Sequence, residues 1–312
     1  MVQPGGGEGP PSTGDGVGRL RLGLITPVVN LNPRFDPAAW EIDGGVEDVV
    51  AVAVEAERLG YDWVSCPEHV AVPVAVADQR GGRYWDPLAT LSYLAAATER
   101  IGLLSHVLVL GYHHPLEVVK RFGTLDLLSG GRVILGVGVG SLEAEFDLLG
   151  APFAGRGHRA DDALAAIRAS FGQRRPTYDG PTYRFGDVIV EPSGVQDHLP
   201  IWVGGRTRRS LRRALDHGDG WIPFGLDAAA LAAVLDDPAL AERRAGPAGP
   251  SGAFEIILAP EPPLDPLGDR AGTSVAVERS RAMGATGLAV RVVSRSRAHY
   301  LEQLAALRIL VP

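Results

Sequence analysis

Short runs of β-branched and leucine residues alternate along most of this chain with longer stretches whose apolar positions recur every three or four residues. The first pattern is that of a strand buried on both faces, the second that of a helix lying against it. Together they predict a parallel sheet covered by helices. Eight segments qualify as strands: residues 20–27, 63–66, 101–110, 133–139, 201–203, 220–224, 254–259 and 287–293. Helical segments fill the gaps. The first has Asp43 as its candidate N-cap, a stripe at Val46, Val49, Val50, Ala53 and Val54, and Gly60 as its stop. The second opens on Asp86 and Pro87, an N-cap followed by proline in the first helical position. The third follows Pro115, carries Val118, Val119, Phe122 and Leu125, and ends at Ser129-Gly130-Gly131. Further helices are expected over about 159–171, 207–216, 227–235, 271–283 and 297–307. Eight strands with interleaved helices predict a closed α/β architecture, a (β/α)8 TIM barrel forming one domain over residues 19–312. A doubly wound open sheet is the alternative. In a barrel, the reactive groups gather at the C-terminal ends of the strands.

Two connections, about 70–85 and 172–200, exceed ordinary loop lengths. Both are expected as insertions at the C-terminal mouth of the barrel, as walls or lids. The second contains Tyr178-Asp179-Gly180-Pro181-Thr182-Tyr183-Arg184-Phe185, two aromatic-bearing runs around a turn signal, which predicts a small hairpin. Residues 1–18 are rich in glycine and proline and have neither a basic start nor an apolar core, so they read as a floppy tail rather than a signal peptide.

Composition narrows the classes. With 46% hydrophobic and 21% charged residues the chain can bury a substantial core. A net charge of −7 offers no basic field for phosphate backbones, so nucleic acid is not an expected partner. Cys66 is the single cysteine, which rules out an internal disulfide framework and a Cys-rich metal site and suits a reducing, cytoplasmic compartment. No apolar run approaches the roughly 20 residues that cross a bilayer, so no membrane association is expected.

Several motifs can carry chemistry. Ile201-Trp202-Val203-Gly204-Gly205-Arg206 leads from a strand into a helix containing Thr207, Arg208 and Ser210. Glycines there let backbone approach a ligand, and the exposed helix N–H groups favour phosphate. Arg206 and Ser210 would add a charge and a hydroxyl; the plainer reading is a tight turn with solvated arginines. Gly136-Val137-Gly138-Val139-Gly140 also stands between a strand and a helix but lacks the dinucleotide spacing. It reads equally as close packing or as room for a flat ring. His69, beside Glu68 at the end of the second strand, can exchange protons near neutral pH. Glu143, just past the glycine run, is a second candidate acid. His113-His114 lacks the spacing of a metal pair, and no metal site is expected.

These pieces resemble a known family. Leu22-Gly23-Leu24 with Pro27, and Glu57-Arg58-Leu59-Gly60-Tyr61-Asp62 running to Glu68-His69, are similar to the opening of luciferase-like monooxygenases and their deazaflavin-dependent relatives. Asp126-Leu127-Leu128-Ser129-Gly130-Gly131-Arg132, Gly136-Val137-Gly138, Pro200-Ile201-Trp202-Val203-Gly204-Gly205 and Gly218-Asp219-Gly220-Trp221 follow in that family's order, so the resemblance covers about residues 20–310. Arg156-Gly157-His158-Arg159-Ala160-Asp161-Asp162-Ala163-Leu164 is similar to the branch that uses coenzyme F-420 (8-hydroxy-5-deazaflavin), with Asp162 in place of a glutamate. The resemblance implies an F-420-dependent oxidoreductase that passes a hydride to or from a small organic substrate, and a homodimer. It implies a bulge with a non-prolyl cis peptide behind the coenzyme ring, at Ser105, His106 and Val107; the histidine there departs from the pattern. His69 and Glu143 would handle protons. Ser105, His106, Val107, Gly138 and Gly140 would border the ring, and Gly204, Gly205, Arg206 and Ser210 would hold the phosphate. The alternatives are an FMN-dependent two-component monooxygenase of the same family and a non-catalytic coenzyme-binding protein.

Overall fold

The computed structural model describes residues 19–250 and 252–312; the expected tail lies outside the described residues. In chain order the strands are β1 (Arg21–Ile25), β2 (Trp63–Cys66), β3 (Gly102–Ser105), β4 (Leu108–Val109), β5 (Val133–Gly138), β6 (Tyr178–Asp179), β7 (Arg184–Phe185), β8 (Ile201–Gly205), β9 (Gly220–Pro223), β10 (Glu255–Leu258) and β11 (Gly287–Val290). The helices are α1 (Ala39–Asp43), α2 (Val46–Arg58), α3 (Val74–Arg80), α4 (Pro87–Ala97), α5 (Pro115–Ser129), α6 (Glu143–Leu148), α7 (Arg156–Ser170), α8 (Arg208–His217), α9 (Ala228–Leu235), α10 (Pro238–Ala245), α11 (Arg270–Ala282) and α12 (Arg297–Leu310).

Eight parallel strands close on themselves in the order β1-β2-β3-β5-β8-β9-β10-β11 and back to β1. The open-sheet alternative is thereby excluded. Closure sorts side chains by strand alternation. Ile25, Trp63, Leu104, Ile134, Trp202, Ile222, Ile257 and Ala289, one from each strand, fill the interior. The two tryptophans meet edge to face at 5.1 Å, in the geometry that aromatic quadrupoles favour. Beneath them Arg21 pairs with Glu255 at 2.9 Å. Space for the indoles comes from missing side chains, since a Cβ on Gly23 would lie 1.9 Å from Trp63. The outward positions pack on the helices through Val49, Val52, Ala53 and Ala56 of α2, Phe122 and Leu125 of α5, and Leu304 and Leu307 of α12.

Several local expectations needed correction. Asp43 ends α1 instead of capping α2, whose cap is Gly45, with Asp48 accepting the Gly45 N–H at 2.9 Å. The buried stripe of α2 is accordingly turned, leaving Val46 and Val54 exposed. The third expected strand is broken in two: Leu104 pairs with Ile134 and Leu108 with Val137, so four residue steps on one strand face three on the other. This is a bulge, and the His106–Val107 peptide within it is cis.

The first insertion lies at the mouth and contains α3. The second starts and ends at the opposite end of the barrel, because helices run back from the mouth and α7 precedes it while β8 follows it. It is laid along α5, where a Cβ on Gly123 would lie 2.5 Å from the Ser193 backbone. Its β6–β7 hairpin reaches toward the mouth, with Tyr183 5.3 Å from the His114 ring at the start of α5. A further segment, the β1–α2 connection, folds over the rim: Trp40 Nε1 donates to Ser294 at 2.8 Å, and Glu41 pairs with Arg291 at 3.3 Å.

Candidate active site

His69 leaves the end of β2 and enters the mouth half-buried. Its Nδ1 lies 2.6 Å from Glu145 Oε2. Glu145 is fully buried in α6 and accepts three more hydrogen bonds, from the N–H groups of Val70 (2.6 Å) and Ala71 (3.1 Å) and from the Tyr112 hydroxyl (2.8 Å). Burial alone would raise its pKa, but the bonds from His69, Tyr112 and Ala71 together outweigh burial and hold the carboxylate below its usual range. An ionised carboxylate only accepts, so the proton it shares sits on Nδ1, and His69 Nε2 has no hydrogen-bond partner among the described residues. Tyr84 stacks edge-on against the imidazole at 4.5 Å. Glu143 sits two residues earlier on α6 and is exposed. The carboxylate that reaches His69 is therefore Glu145, because residues two apart on a helix face different ways. A periodicity count over 142–149, with Leu142 and Phe146 inward, could have found it.

A second pair adjoins the first. Glu68 is buried, accepts the Val109 N–H at 2.6 Å and takes a bond from His113 Nε2 at 2.8 Å. Burial pulls the His113 pKa down, but the bond and charge of Glu68 leave it raised. Glu68 thus ties β4 to the end of β2 through Val109, and His113 holds that carboxylate in place.

The glycine run serves packing first. The space beside Gly138 is filled by Val107, whose Cγ2 would be 2.7 Å from an added Cβ. The same valine lies 3.0 Å from a Cβ built on Gly204. Gly140 makes room for Phe146 at 2.5 Å, and its carbonyl accepts from Arg156 Nε at 3.0 Å. Gly138 and Gly204 therefore let Val107 stand inside the mouth instead of leaving an empty slot. Ser105 is fully buried and its hydroxyl donates to the Gly136 carbonyl at 2.8 Å, so its side chain ties β3 to β5. His106 follows it, half-buried.

At the β8–α8 turn, Thr207 caps the helix. Ser210 is buried, donates to the Thr207 carbonyl at 2.7 Å, and accepts from the Thr207 N–H (3.1 Å) and Trp221 Nε1 (3.2 Å). A hydroxyl has one donor and two acceptor positions, so Ser210 has nothing left for a phosphate, which corrects its expected role. Gly205 has φ of +148°, and a Cβ there would lie 2.4 Å from Ser210. Arg206 and Arg209 are exposed and have no partner among the described residues. The N–H groups of Arg208 and Arg209 in the first turn have no acceptor within the helix. Cations and free amides thus remain as the groups of this turn that could hold an anion. Arg291, just past the end of β11, is a mouth residue that pattern reading missed: its guanidinium lies 4.4 Å over the Phe35 ring, and its Nη1 is buried without a partner among the described residues.

Depressions lined by Arg168, His198 and Asp219 lie at the other end of the barrel. There Arg168 bonds His198, the Leu199 carbonyl and Asp219, an arrangement that braces the strand starts. Among the described residues no group of three or more His, Cys, Asp or Glu could hold a metal ion, and no helix is long and apolar enough to cross a membrane.

A family model described as luciferase-like monooxygenase matches residues 20–262. An uncharacterized protein of Mycobacterium tuberculosis is 33% identical over 193 residues, 58% of this chain and 68% of that one. The F420-dependent glucose-6-phosphate dehydrogenase of Intrasporangium calvum is 32% identical, over 57% of this chain and 54% of its own length. The FMNH(2)-dependent dimethylsulfone monooxygenase of Pseudomonas putida is 26% identical, over 64% and 53%. Among solved structures, monooxygenase RslO1 from Streptomyces bottropensis superposes with a TM-score of 0.74 at 20% identity, over 94% of this chain and 98% of that one. An F420-dependent secondary alcohol dehydrogenase superposes at 0.72 and 15% identity, over 94% and 99%. At such identities the two superpositions speak for the fold alone.

Proposed function

The chain belongs to the luciferase-like monooxygenase family, and from that premise we propose that it passes a hydride between coenzyme F-420 and a small organic substrate at the barrel mouth. The observation that carries this reading is the His69–Glu145 pair, 2.6 Å apart at the end of β2. A hydride moved to or from a carbon–oxygen centre must be matched by a proton, and this pair is built to handle one. Glu145 orients the ring and fixes which nitrogen carries the shared proton, and Nε2 gives or takes the proton toward the mouth. The relative from Intrasporangium calvum, named as F420-dependent, favours this coenzyme, as does the Arg156–Leu164 pattern.

The residues present fit a phosphate-bearing, flat coenzyme. Arg206, Arg209 and the first-turn amides of α8 would hold the phosphate, and Val107, raised over Gly138 and Gly204, would back the ring. When bound, the deazaflavin supplies the hydride chemistry. The protein binds, orients, excludes water and moves the proton.

Difference spectra on titrating the purified protein with F-420 and with FMN test the proposal. Binding of F-420 in the micromolar range without FMN binding is the expected result. FMN binding alone would favour the two-component monooxygenase to which the Pseudomonas putida relative points, and tight coenzyme binding without turnover across a broad substrate panel would favour a non-catalytic coenzyme-binding protein. Arg206→Ala should weaken F-420 binding by roughly 1.5–3 kcal/mol, the value of a hydrogen bond to a charged group, or about one to two decades in Kd. Turnover at saturating coenzyme should change far less. Unchanged affinity would move the phosphate elsewhere. Gly205→Val is a poor test because its side chain would collide with Ser210 whatever binds.

A further inference from the structure

The proton pair and the coenzyme site leave Arg291 without a task. Leu288, Val290 and Val292 pack into the outer core while Ala289 fills the barrel interior, so strand alternation points Arg291 inward, one pleat above the interior layer. The residue is only 9% exposed. Phe35, in the β1–α2 connection, closes one face of its guanidinium at 4.4 Å. A guanidinium carries five N–H donors in one plane. Among the described residues this one makes a single hydrogen bond, from Nη2 to Glu41 Oε2 at 3.3 Å, and its Nη1 is buried with no partner. The counter-charge is itself loosely held. Glu41 is buried, its other oxygen accepts the Ala38 N–H only at 3.4 Å, and burial pushes its carboxyl above the ordinary range. A buried charge with unmet donors is costly. A ligand landing on the free edge removes that cost.

The order of strands says what such a ligand would meet. In the closed ring of eight, β11 lies four strands from β5, so Arg291 stands on the far side of the mouth from the Val107 wall. The position proposed for the coenzyme ring is between them. His69 is on β2, two strands from β11 by way of β1. Neighbouring strands are roughly 4.8 Å apart, so β2 and β11 are about 10 Å apart, and a molecule of a few carbons spans two side chains leaning inward from them. Phe224, two residues past the interior Ile222, and Ala259, two past Ile257, give this side of the mouth an apolar lining.

We propose that Arg291 is a substrate-binding residue that sets the substrate class: its free edge takes the carboxylate of a small oxo or hydroxy acid, whose reacting carbon then lies between the coenzyme ring and His69. This rests on the proposed hydride transfer and names its substrate. A carboxylate meets two in-plane donors at once, the paired geometry that suits arginine, and Phe35 leaves only that in-plane approach open. An uncharged carbonyl would leave the buried charge unanswered. A phosphate ester would bring a second negative charge beside Glu41, so the single charge of a carboxylate fits better.

The test uses small oxo acids of graded length, each beside the ketone that lacks the carboxylate, together with ethyl phosphate. Thermal stabilisation by each compound reports its affinity, in coenzyme-free and F-420-loaded protein, for wild type, Arg291→Met, Arg291→Lys and Glu41→Gln. Wild type should bind acids in preference to their ketones. Arg291→Met should weaken acid binding by about ten- to a hundredfold, the loss of a hydrogen bond to a charged group, while its F-420 affinity, read from ring absorbance, stays at the wild-type value. Arg291→Lys, which keeps the charge without the fork, should fall between. Glu41→Gln removes the competing charge and should bind acids more tightly than wild type. If Arg291→Met does not fold, the opposite shifts of Arg291→Lys and Glu41→Gln decide. A wild type that treats acids and ketones alike overturns the inference, as does a preference for acids that survives in folded Arg291→Met. Ethyl phosphate binding more tightly than every acid overturns the carboxylate assignment. A wild type that binds neither F-420 nor FMN overturns the functional proposal instead, and the coenzyme-free series still reads the acid preference.

Discussion

A single carboxylate at position 145 collects bonds from an imidazole, a phenol and two backbone amides while being fully buried. Those donors replace the water it gave up, and they make its ionisation a condition of the native state. Two consequences follow at this scale. His69→Ala should lower turnover by roughly 10²–10⁴-fold with coenzyme affinity nearly intact, the usual contribution of a general acid or base; near-normal turnover in steady-state kinetics would return His69 to a structural role. Glu145→Gln should cost as much activity or less, because an amide no longer holds the proton on Nδ1. The second consequence concerns pH. The Glu145 pKa is depressed from its ordinary 4.5 in the folded protein, so its stabilisation is complete above 4.5 and lost as pH falls through the folded value. Urea midpoints measured from about pH 7 down to 3 should therefore fall less steeply for Glu145→Gln than for wild type; parallel curves would contradict the assignment.

Among elements, the α7 motif that resembles the F-420 branch has a structural use that its sequence did not disclose. Asp162 accepts the Tyr178 hydroxyl at 2.6 Å and the N–H groups of Thr182 (2.8 Å) and Tyr183 (2.9 Å), pinning the β6–β7 hairpin to the helix. A Cβ on Gly180 would press 2.2 Å from the same carboxylate, so the turn needs glycine there for space. Asp162→Ala should cost about 1–3 kcal/mol, the desolvation penalty of the donors it strands, and speed hydrogen exchange of the Thr182 and Tyr183 amides specifically. Unchanged protection would mean that the packing of Tyr183 and Phe185 on His114 holds the hairpin instead. The hairpin was legible from its turn residues, but its anchor was not, because the contact joins positions 16 to 21 residues apart whose pairing no local pattern records.

For the whole molecule, closure of the barrel is what turns eight unremarkable strands into a site. Its interior is sealed by the Trp63–Trp202 contact, with Leu104, Ile134, Ile222 and Ile257 around it. Trp202→Ala should therefore cost roughly 3–5 kcal/mol, as large aromatic truncations in cores do, lowering the denaturant midpoint. A loss below about 1 kcal/mol would mean the interior can collapse around the gap, and the mouth would not be rigidly held.

The amino-acid sequence by itself determined the eight barrel strands and the long helices between them, because burial on two faces or along one stripe leaves a repeating apolar signature within each segment, whereas the short helices α1, α3, α6 and α10 and the break between β3 and β4 left none. It also marked the ends of β2 and β8 as chemically special, through a histidine and a pair of glycines placed where strands stop. What only the tertiary structure decided is which groups meet. Glu145 rather than Glu143 stands behind His69, Ser210 spends its hydroxyl on Thr207 and Trp221, the glycine run admits Val107 and Phe146, and Arg291 and Glu41 pair across 250 residues at the rim. The reason is physical: hydrogen bonds and contacts act over a few ångströms in space, and closing the barrel brings together residues whose separation along the chain carries no trace of that distance.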